Sequence, residues 1–396
     1  MLRRRTVDEH AGRIAALVGP SLARRETEIV PLSASLGRVT SEPIVTTGPL
    51  PPFRNAQMDG YAARAADIRR TPVVLPVDGV LPAAATMALT LEPGHLLKVM
   101  TGAPVPDGAD CVVPVEQTVE EYGAVRIVRP VEAGAFVREA GSDALPGTVV
   151  VPAHTPLAPR HIAAAAAAGV AEVAVRRRPR VAVIATGAEV VPAGAPLALG
   201  QVHDVNGVTL AALAEEAGAV AVLVDLTPDE PAAFEQALLR AVAAADLVLT
   251  AGGVSKGDFE VVRQVLEPLG ADVTEIAMQP GGPQGSASVR GVPVVCLPGN
   301  PVSAQVSFTV FVRPLLRAAV GLPPIHAVPM PLAAAVHSPN GKRQWLRGVV
   351  KGGSVHPVGG PGSHLVVAMA GADVLIDVPA DTDFVGAGST VSVLPL

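Results

Sequence analysis

Three glycine-bearing turns each follow a short apolar run: Thr186-Gly187-Ala188-Glu189, Thr250-Ala251-Gly252-Gly253-Val254-Ser255, and Pro298-Gly299-Asn300-Pro301-Val302-Ser303. Each has an ordinary structural explanation. Gly187 and the Gly252-Gly253 pair permit positive φ, and Asn300 ahead of Pro301 reads as a helix N-cap with proline in the first turn. Three such turns, each with a hydroxyl or carboxylate attached, shift the balance towards a cradle for phosphate or another oxyanion, because backbone N–H groups converge where strands end and helices begin. The second turn continues as Lys256-Gly257-Asp258-Phe259-Glu260. Lys256 is either a further anion contact or a solvated side chain.

Carboxylates gather around the same turns: Glu189, Asp229, Asp258 and Glu260, with Asp59 in QMDGYA and Asp143 in REAGSDAL upstream. Asp229 stands before Glu230-Pro231, so helix capping competes with catalysis as its role. Negative side chains beside an anion cradle repel its ligand unless a hard cation bridges them. Mg²⁺ binds carboxylate and phosphate oxygens together and resolves that conflict. GxGxxG and GxxxxGK[ST] are absent, which weakens nicotinamide-dehydrogenase and P-loop kinase readings. Neither HExxH nor CxxC occurs, and Cys111 and Cys296 lie in apolar runs, so buried thiols are expected rather than a zinc site.

The elements that hold these turns follow from periodicity. From Pro179 onward, RVAVIAT, VAVLVDL, DLVLTAG and VPVVCLPG read as strands, separated by the helical NGVTLAALAEEAGA, EPAAFEQALLRAVAAA and FEVVRQVLEPLG and followed by a long helix. Strands apolar on both faces that alternate with helices predict a doubly wound parallel sheet covered by helices. Residues from about 50 to 145 offer short strands between Gly and Pro turns, a small β domain, and the Ala tract at 163–168 reads as helix. Short strands return beyond residue 323 in KRQWLRGVV, DVLIDVP and TVSVLPL. Thr6 and Glu9 form a capping box for a first helix.

At 396 residues and 49% hydrophobic content the chain exceeds one core, and about two to four domains are expected. A net charge of -6, spread along the chain, argues against nucleic-acid and anionic-membrane partners. The dense basic run Arg176-Arg177-Arg178-Pro179-Arg180 reads as a solvated linker. Asp8 and Glu9 interrupt any signal core, and no stretch approaches about 18 apolar residues, so a cytoplasmic protein is expected.

RNAQMDGYAAR, VMTGAPVPDGADCVVPVE, ATGAEVV, GQVHDVNG, AGGVSKGD, LPGNPVSA and GSHLVVAMAGAD together resemble the molybdopterin molybdenumtransferases, the MoeA family, which includes the E domain of gephyrin. The resemblance spans essentially the whole chain. It implies a multidomain α/β plus β fold: a molybdopterin-binding-like α/β domain at 1–26 with 177–322, an extended linker domain at 27–46 with 146–176, a small β domain at 47–145, and a C-terminal β-barrel domain at 323–396. It further implies a homodimer whose active site lies between the α/β domain of one subunit and the small β domain of the other. The implied activity is Mg²⁺-dependent insertion of molybdate into adenylylated molybdopterin with release of AMP, with a molybdopterin adenylyltransferase as a candidate partner.

Carried over by motif position, Asp59, Asp143, Glu189, Asp229 and Glu260 take the catalytic roles, Glu260 standing where the usual motif has Asp. Thr101, Gly102, Gly187, Gly252, Gly253, Ser255, Pro298, Gly299, Asn300 and Pro301 take substrate-binding roles. Ser303, Arg347 and Ser363 correspond to molybdate contacts, with Arg343 the competing arginine, and Glu189 and Asp258 are candidate metal ligands. One departure stands out. Where the family often has KIAMKPGKP, this chain reads Glu275-Ile276-Ala277-Met278-Gln279-Pro280-Gly281-Gly282-Pro283, without lysine at 275, 279 or 282. Each charged hydrogen bond contributes about 1.5–3 kcal/mol, so oxyanion binding is expected to weaken unless Lys256 or Lys342 substitutes. That loss supports a second reading, a pterin-cofactor binding or assembly scaffold with weak turnover. A nucleotide-dependent oxidoreductase rests on the α/β pattern alone.

Overall fold

The computed structural model describes residues 4–23, 26–84, 89–255 and 260–396. Two compact units emerge, one formed by Met1–Glu28 with Val175–Leu396 and the other by Ile29–Ala174.

The first unit begins with helix α1, Val7–Leu22. Its start is fixed by the Thr6 hydroxyl accepting from the Glu9 amide while the Glu9 carboxylate accepts from the Thr6 amide. Val7, His10, Ile14, Val18 and Leu22 form its buried stripe. Strands β1 (Arg180–Thr186), β2 (Val220–Thr227), β3 (Leu247–Ala251), β4 (Asp272–Glu275), β5 (Pro283–Val289) and β6 (Val292–Leu297) build one sheet in the order β2-β1-β3-β6-β5-β4. α1, helix α2 (Asn206–Glu216), helix α5 (Pro301–Ser307) and helix α6 (Arg313–Val320) pack on one face around Val183, Leu249, Phe308 and Leu316. Helices α3 (Pro231–Ala244) and α4 (Val261–Leu266) cover the other face around Ile184, Phe234, Leu238 and Val262. β3 is buried throughout and β1 beyond its first residue, as apolar runs in a two-sided sheet require.

Two features depart from the sequence expectation. The sheet is mixed, because β2, β1, β3 and β6 run parallel while β5 and β4 pair antiparallel. A two-residue hairpin causes this: Arg290 and Gly291 both adopt positive φ, at 52° and 80°, the geometry of a type I′ turn between β5 and β6. The long helix after β6 is interrupted by a π-helical stretch at Phe308–Val312. Pro314 follows it and lacks the N–H that a continuous α-helix would direct at Val310.

A second sheet in this unit has the order Met278–Gln279, Arg343–Lys351, Val374–Val378, Thr390–Pro395, Val328–Pro331. The segment after β4 thus contributes a strand beside Arg343–Lys351, which positions part of the candidate site below. The basic run also differs from a solvated linker, since Arg177 pairs with Glu26 and Asp246, and Arg180 with Asp246. Cys111, in the second unit, and Cys296 are fully buried, and burial pushes both thiols up to about 12.

The second unit holds a sheet in the order Cys111–Pro114, Gly60–Ala63, Leu96–Val99, Val73–Leu81, Ala124–Ile127, Thr118–Glu121. Ala62, Leu97, Val99 and Val112 build one of its cores. Helix Pro159–Ala167 contains most of the Ala tract.

His10 gives the first unit a pH-dependent stability. Its ring lies fully buried, edge-on to Phe311 at 4.9 Å, and neither nitrogen makes a well-formed hydrogen bond. Burial first, then the Arg5 charge, pushes its pKa down from 6.5 to about 4, against a smaller opposing pull from the Gln284 amide. Between those values the unfolded chain binds the extra proton. The stabilisation is therefore complete above pH 6.5 and is lost as pH falls towards 4, by roughly 3 kcal/mol. Between pH 7 and pH 4 the urea midpoint of the wild type should fall more than that of His10→Leu, so the gap between the two shifts in favour of the leucine variant as the solution is acidified. A difference that does not change across that window would rule out His10 as the source.

Candidate functional site

The three glycine turns meet. Beyond the carboxyl ends of β1, β3 and β6 lies a cleft of about 790 Å³, lined by Gly187, Gly252, Gly253, Pro298 and Gly299 among others. Gly252 has φ +98°, and a Cβ there would lie 2.8 Å from both the carbonyl oxygen and the hydroxyl of Thr186. A Cβ on Gly299 would come within 3.2 Å of the Gly252 Cα. Side chains at either position would push the strand ends apart, so glycine is what allows the turns to form one floor.

Two of the cleft carboxylates, Asp229 and Glu260, accept from backbone amides of the glycine turns. Asp229 accepts from the Ala188 amide at 2.9 Å, clasping the β1 turn. It does not cap α3, whose N-cap is Glu230 and has no side-chain capping bond. Glu260 accepts from the Ser255 amide at 2.7 Å and closes the β3 turn on itself. Glu189 lines the same space, with its carboxylate about 3 Å from where a Gly187 Cβ would stand. The metal candidate Asp258, like Lys256, falls outside the described residues.

Asn300 supplies the backbone N-cap of α5 without a side-chain capping bond, and Pro301 occupies the first turn. Ser303, one turn further, is 3% exposed and lines the cleft. Ser363 lines it from the loop after Ser354–Pro357, held there because its carbonyl accepts from the Val302 amide at 3.1 Å. Arg347 stands behind that loop, 2% exposed. It donates to the Gly362 carbonyl at 3.1 Å and to the Gly360 carbonyl, and burial holds its guanidinium below the usual arginine range. Arg343, the competing arginine, is bound in ion pairs with Asp377 and Asp8.

Asp59, Thr101, Gly102 and Asp143 lie in the second unit. Asp59 accepts from both the Thr101 amide, at 2.7 Å, and its hydroxyl, at 2.8 Å, and the amide bond chiefly holds its carboxyl below the usual range. Gly102 follows with φ +81°. The Asp143 amide donates to the Leu50 carbonyl at 2.8 Å in an exposed turn.

Several cleft residues carried no assignment from sequence: His203, Asp204, Asn206, His364 and Gln279. Asn206 donates to the Gly299 carbonyl at 2.7 Å, joining the start of α2 to the β6 turn, and Asp204 accepts from the Gly207 amide at 2.8 Å within that start. The GQVHDVNG motif was the available signal. Its Asn206 contact lies with a residue 93 positions away, which the local pattern does not disclose.

The α/β region that carries most of this cleft, residues 182–318, matches the family described as "Probable molybdopterin binding domain", which gives the class of this α/β unit. Residues 5–169 match the MoeA N-terminal region (domain I and II), and residues 329–396 match the MoeA C-terminal region (domain IV). The chain belongs to the MoeA family of molybdopterin molybdenumtransferases and acts in molybdenum cofactor biosynthesis. It is 41% identical to molybdopterin molybdenumtransferase 2 of Mycobacterium tuberculosis, covering 99% of this chain and 100% of that one. Against the molybdopterin molybdenumtransferase of a Nostoc species identity is 36%, covering 99% and 94%. A solved molybdopterin biosynthesis MoeA protein from Pyrococcus horikoshii OT3 superposes with a TM-score of 0.76 at 26% identity, covering 100% of each chain.

Proposed function

We propose that the cleft carries out Mg²⁺-dependent insertion of molybdate into adenylylated molybdopterin, releasing AMP. The observation that carries this reading is the convergence of three strand-end glycine turns and three sequence-selected carboxylates, Glu189, Asp229 and Glu260, on one space. Oxyanion contacts come from main-chain amides and from the Ser303 and Ser363 hydroxyls. In this reading the Gly252 amide is not among those contacts, because it donates to the Leu297 carbonyl at 3.2 Å. The role passes to the amides of Gly253 and Gly299.

Among the described residues no group of three or more ligating side chains forms a ready-made metal cage. Mg²⁺ keeps several waters and is bound through one or two carboxylates plus substrate phosphate, so this reading needs few protein ligands. Glu189 is the protein ligand in this reading, since Asp229 and Glu260 each already commit an oxygen to a backbone amide. Bound there, the cation would offset charge on the departing AMP. Asp229 and Glu260 hold the turns in register with the substrate and add negative charge around the cation, and the loop bearing Ser363 is fixed by Arg347. The reading extends to a cytoplasmic homodimer supplied by a molybdopterin adenylyltransferase.

The scaffold alternative is favoured by the lysine-free turn, where Gln279 faces the cleft and no cation replaces it among the described lining residues. AMP release from adenylylated molybdopterin in the presence of Mg²⁺ and molybdate separates the two. Turnover above the protein-free rate is the expected result, and release no faster than that leaves the scaffold.

A further inference from the structure

We propose that Gln279 is an oxyanion-binding residue and that the buried Gln344 positions it. Met278–Gln279 runs parallel to Arg343–Lys351, with Gln279 directly beside Gln344 in register. Gln344 is 2% exposed, and its Nε2 donates to the Gln279 Oε1 at 2.6 Å. A primary amide whose oxygen is held by a donor turns its NH₂ the other way. Gln279 lines the cleft and Gln344 does not, so in this proposal the Nε2 of Gln279 is the donor presented to the cleft.

The segment that follows is fixed as firmly. Gln284 is fully buried, and its Nε2 donates to the Gly281 carbonyl at 2.9 Å and to the Ser307 hydroxyl at 2.8 Å. Gly281 itself lines the cleft with φ +101°, in a space where a Cβ would lie 2.8 Å from the Ser307 hydroxyl. Gln279 is therefore anchored on both sides, by its own amide oxygen and by the turn it enters. Such an arrangement is costly as mere packing, because the Gln344 Oε1 is buried without a partner. A leucine or methionine would fill the space without stranding a polar atom. Orientation of the neighbouring amide accounts for the glutamine.

A donor set of this kind holds an oxyanion by direction rather than by charge. This inference rests on the oxyanion reading of the cleft and adds to it the residue that reads the anion and the one that aims it. The test uses the full-length protein and molybdate alone, with Kd from equilibrium dialysis. Gln279→Met, matched in shape but without donors, should raise Kd about tenfold, the loss of one hydrogen bond to a charged group. Gln344→Met should do the same while Gln279 is present. In a Gln279→Lys background, whose ammonium donates in any orientation, Gln344→Met should change Kd less than twofold. Equal weakening by Gln344→Met in both backgrounds would mean a packing role and overturn the positioning. Wild-type affinity in Gln279→Met would overturn the binding role while leaving the cleft reading intact. Absence of molybdate binding to the wild type would overturn both.

Discussion

Gly252→Ala is expected to lower stability by about 2–4 kcal/mol and to cut AMP release at least about a hundredfold. The two effects share one cause. At φ +98° an L-residue is strained, and the new methyl would stand 2.8 Å from the Thr186 carbonyl oxygen, a backbone atom at the end of a central strand. Thr186 cannot retreat without breaking its parallel pairing with β2, so the β3 turn must lift instead. That lift separates Gly252 from Gly299, whose close approach forms the cleft floor. Gly353→Ala is the control: φ is +79° there but a Cβ meets nothing within 4 Å, so strain acts alone and the loss should stay near 1 kcal/mol with activity intact. Urea unfolding and AMP release measured on both variants decide it. A Gly252→Ala protein as stable as Gly353→Ala would show that the turn has room and that the floor is not set by backbone contact.

The contrast between those glycines also marks what a sequence can and cannot disclose. Gly252 could be selected because an apolar run ends there and hydroxyl and carboxylate residues follow, all within a few positions. The α/β class was legible for the same reason: RVAVIAT and DLVLTAG carry the signature of two-sided burial in their own composition. Features that depend on partners distant in sequence stayed hidden. Gln344 and Gln284 look like surface residues until the strand beside Met278–Gln279 and the helix bearing Ser307 bury them. The Gly252 amide looked available for a ligand, yet the neighbouring strand end claims it through Leu297. Asp229 looked equally suited to capping or catalysis, and only the position of Ala188, 41 residues away, reveals what its carboxylate holds. The Arg290-Gly291 hairpin that makes the sheet mixed was a local signal that the alternating strand–helix pattern overshadowed.

Asp229 carries the second large effect, because its contact allows charge to be separated from geometry. Its Oδ2 accepts from the Ala188 amide at 2.9 Å, and an asparagine oxygen can take that place without moving the β1 turn. Asp229→Asn should therefore fold with near-wild-type stability. If the residue serves only to clasp the turn, AMP release should be nearly unchanged, and Asp229→Ala, which strands the Ala188 amide, should be the damaging variant. The proposed chemistry demands the opposite. Negative charge beside Glu189 strengthens the attraction for a cation bridging to substrate phosphate, so Asp229→Asn should lower kcat about 10²–10³-fold and raise the Mg²⁺ concentration giving half-maximal rate. Glu260→Gln has the same logic, with the Ser255 amide as the retained contact. The Mg²⁺ titration separates the readings, since a clasp that survives substitution leaves it where it was. An Asp229→Asn enzyme with wild-type kcat and unshifted Mg²⁺ dependence would place the negative charge outside the chemistry and reduce Asp229 to a structural tie.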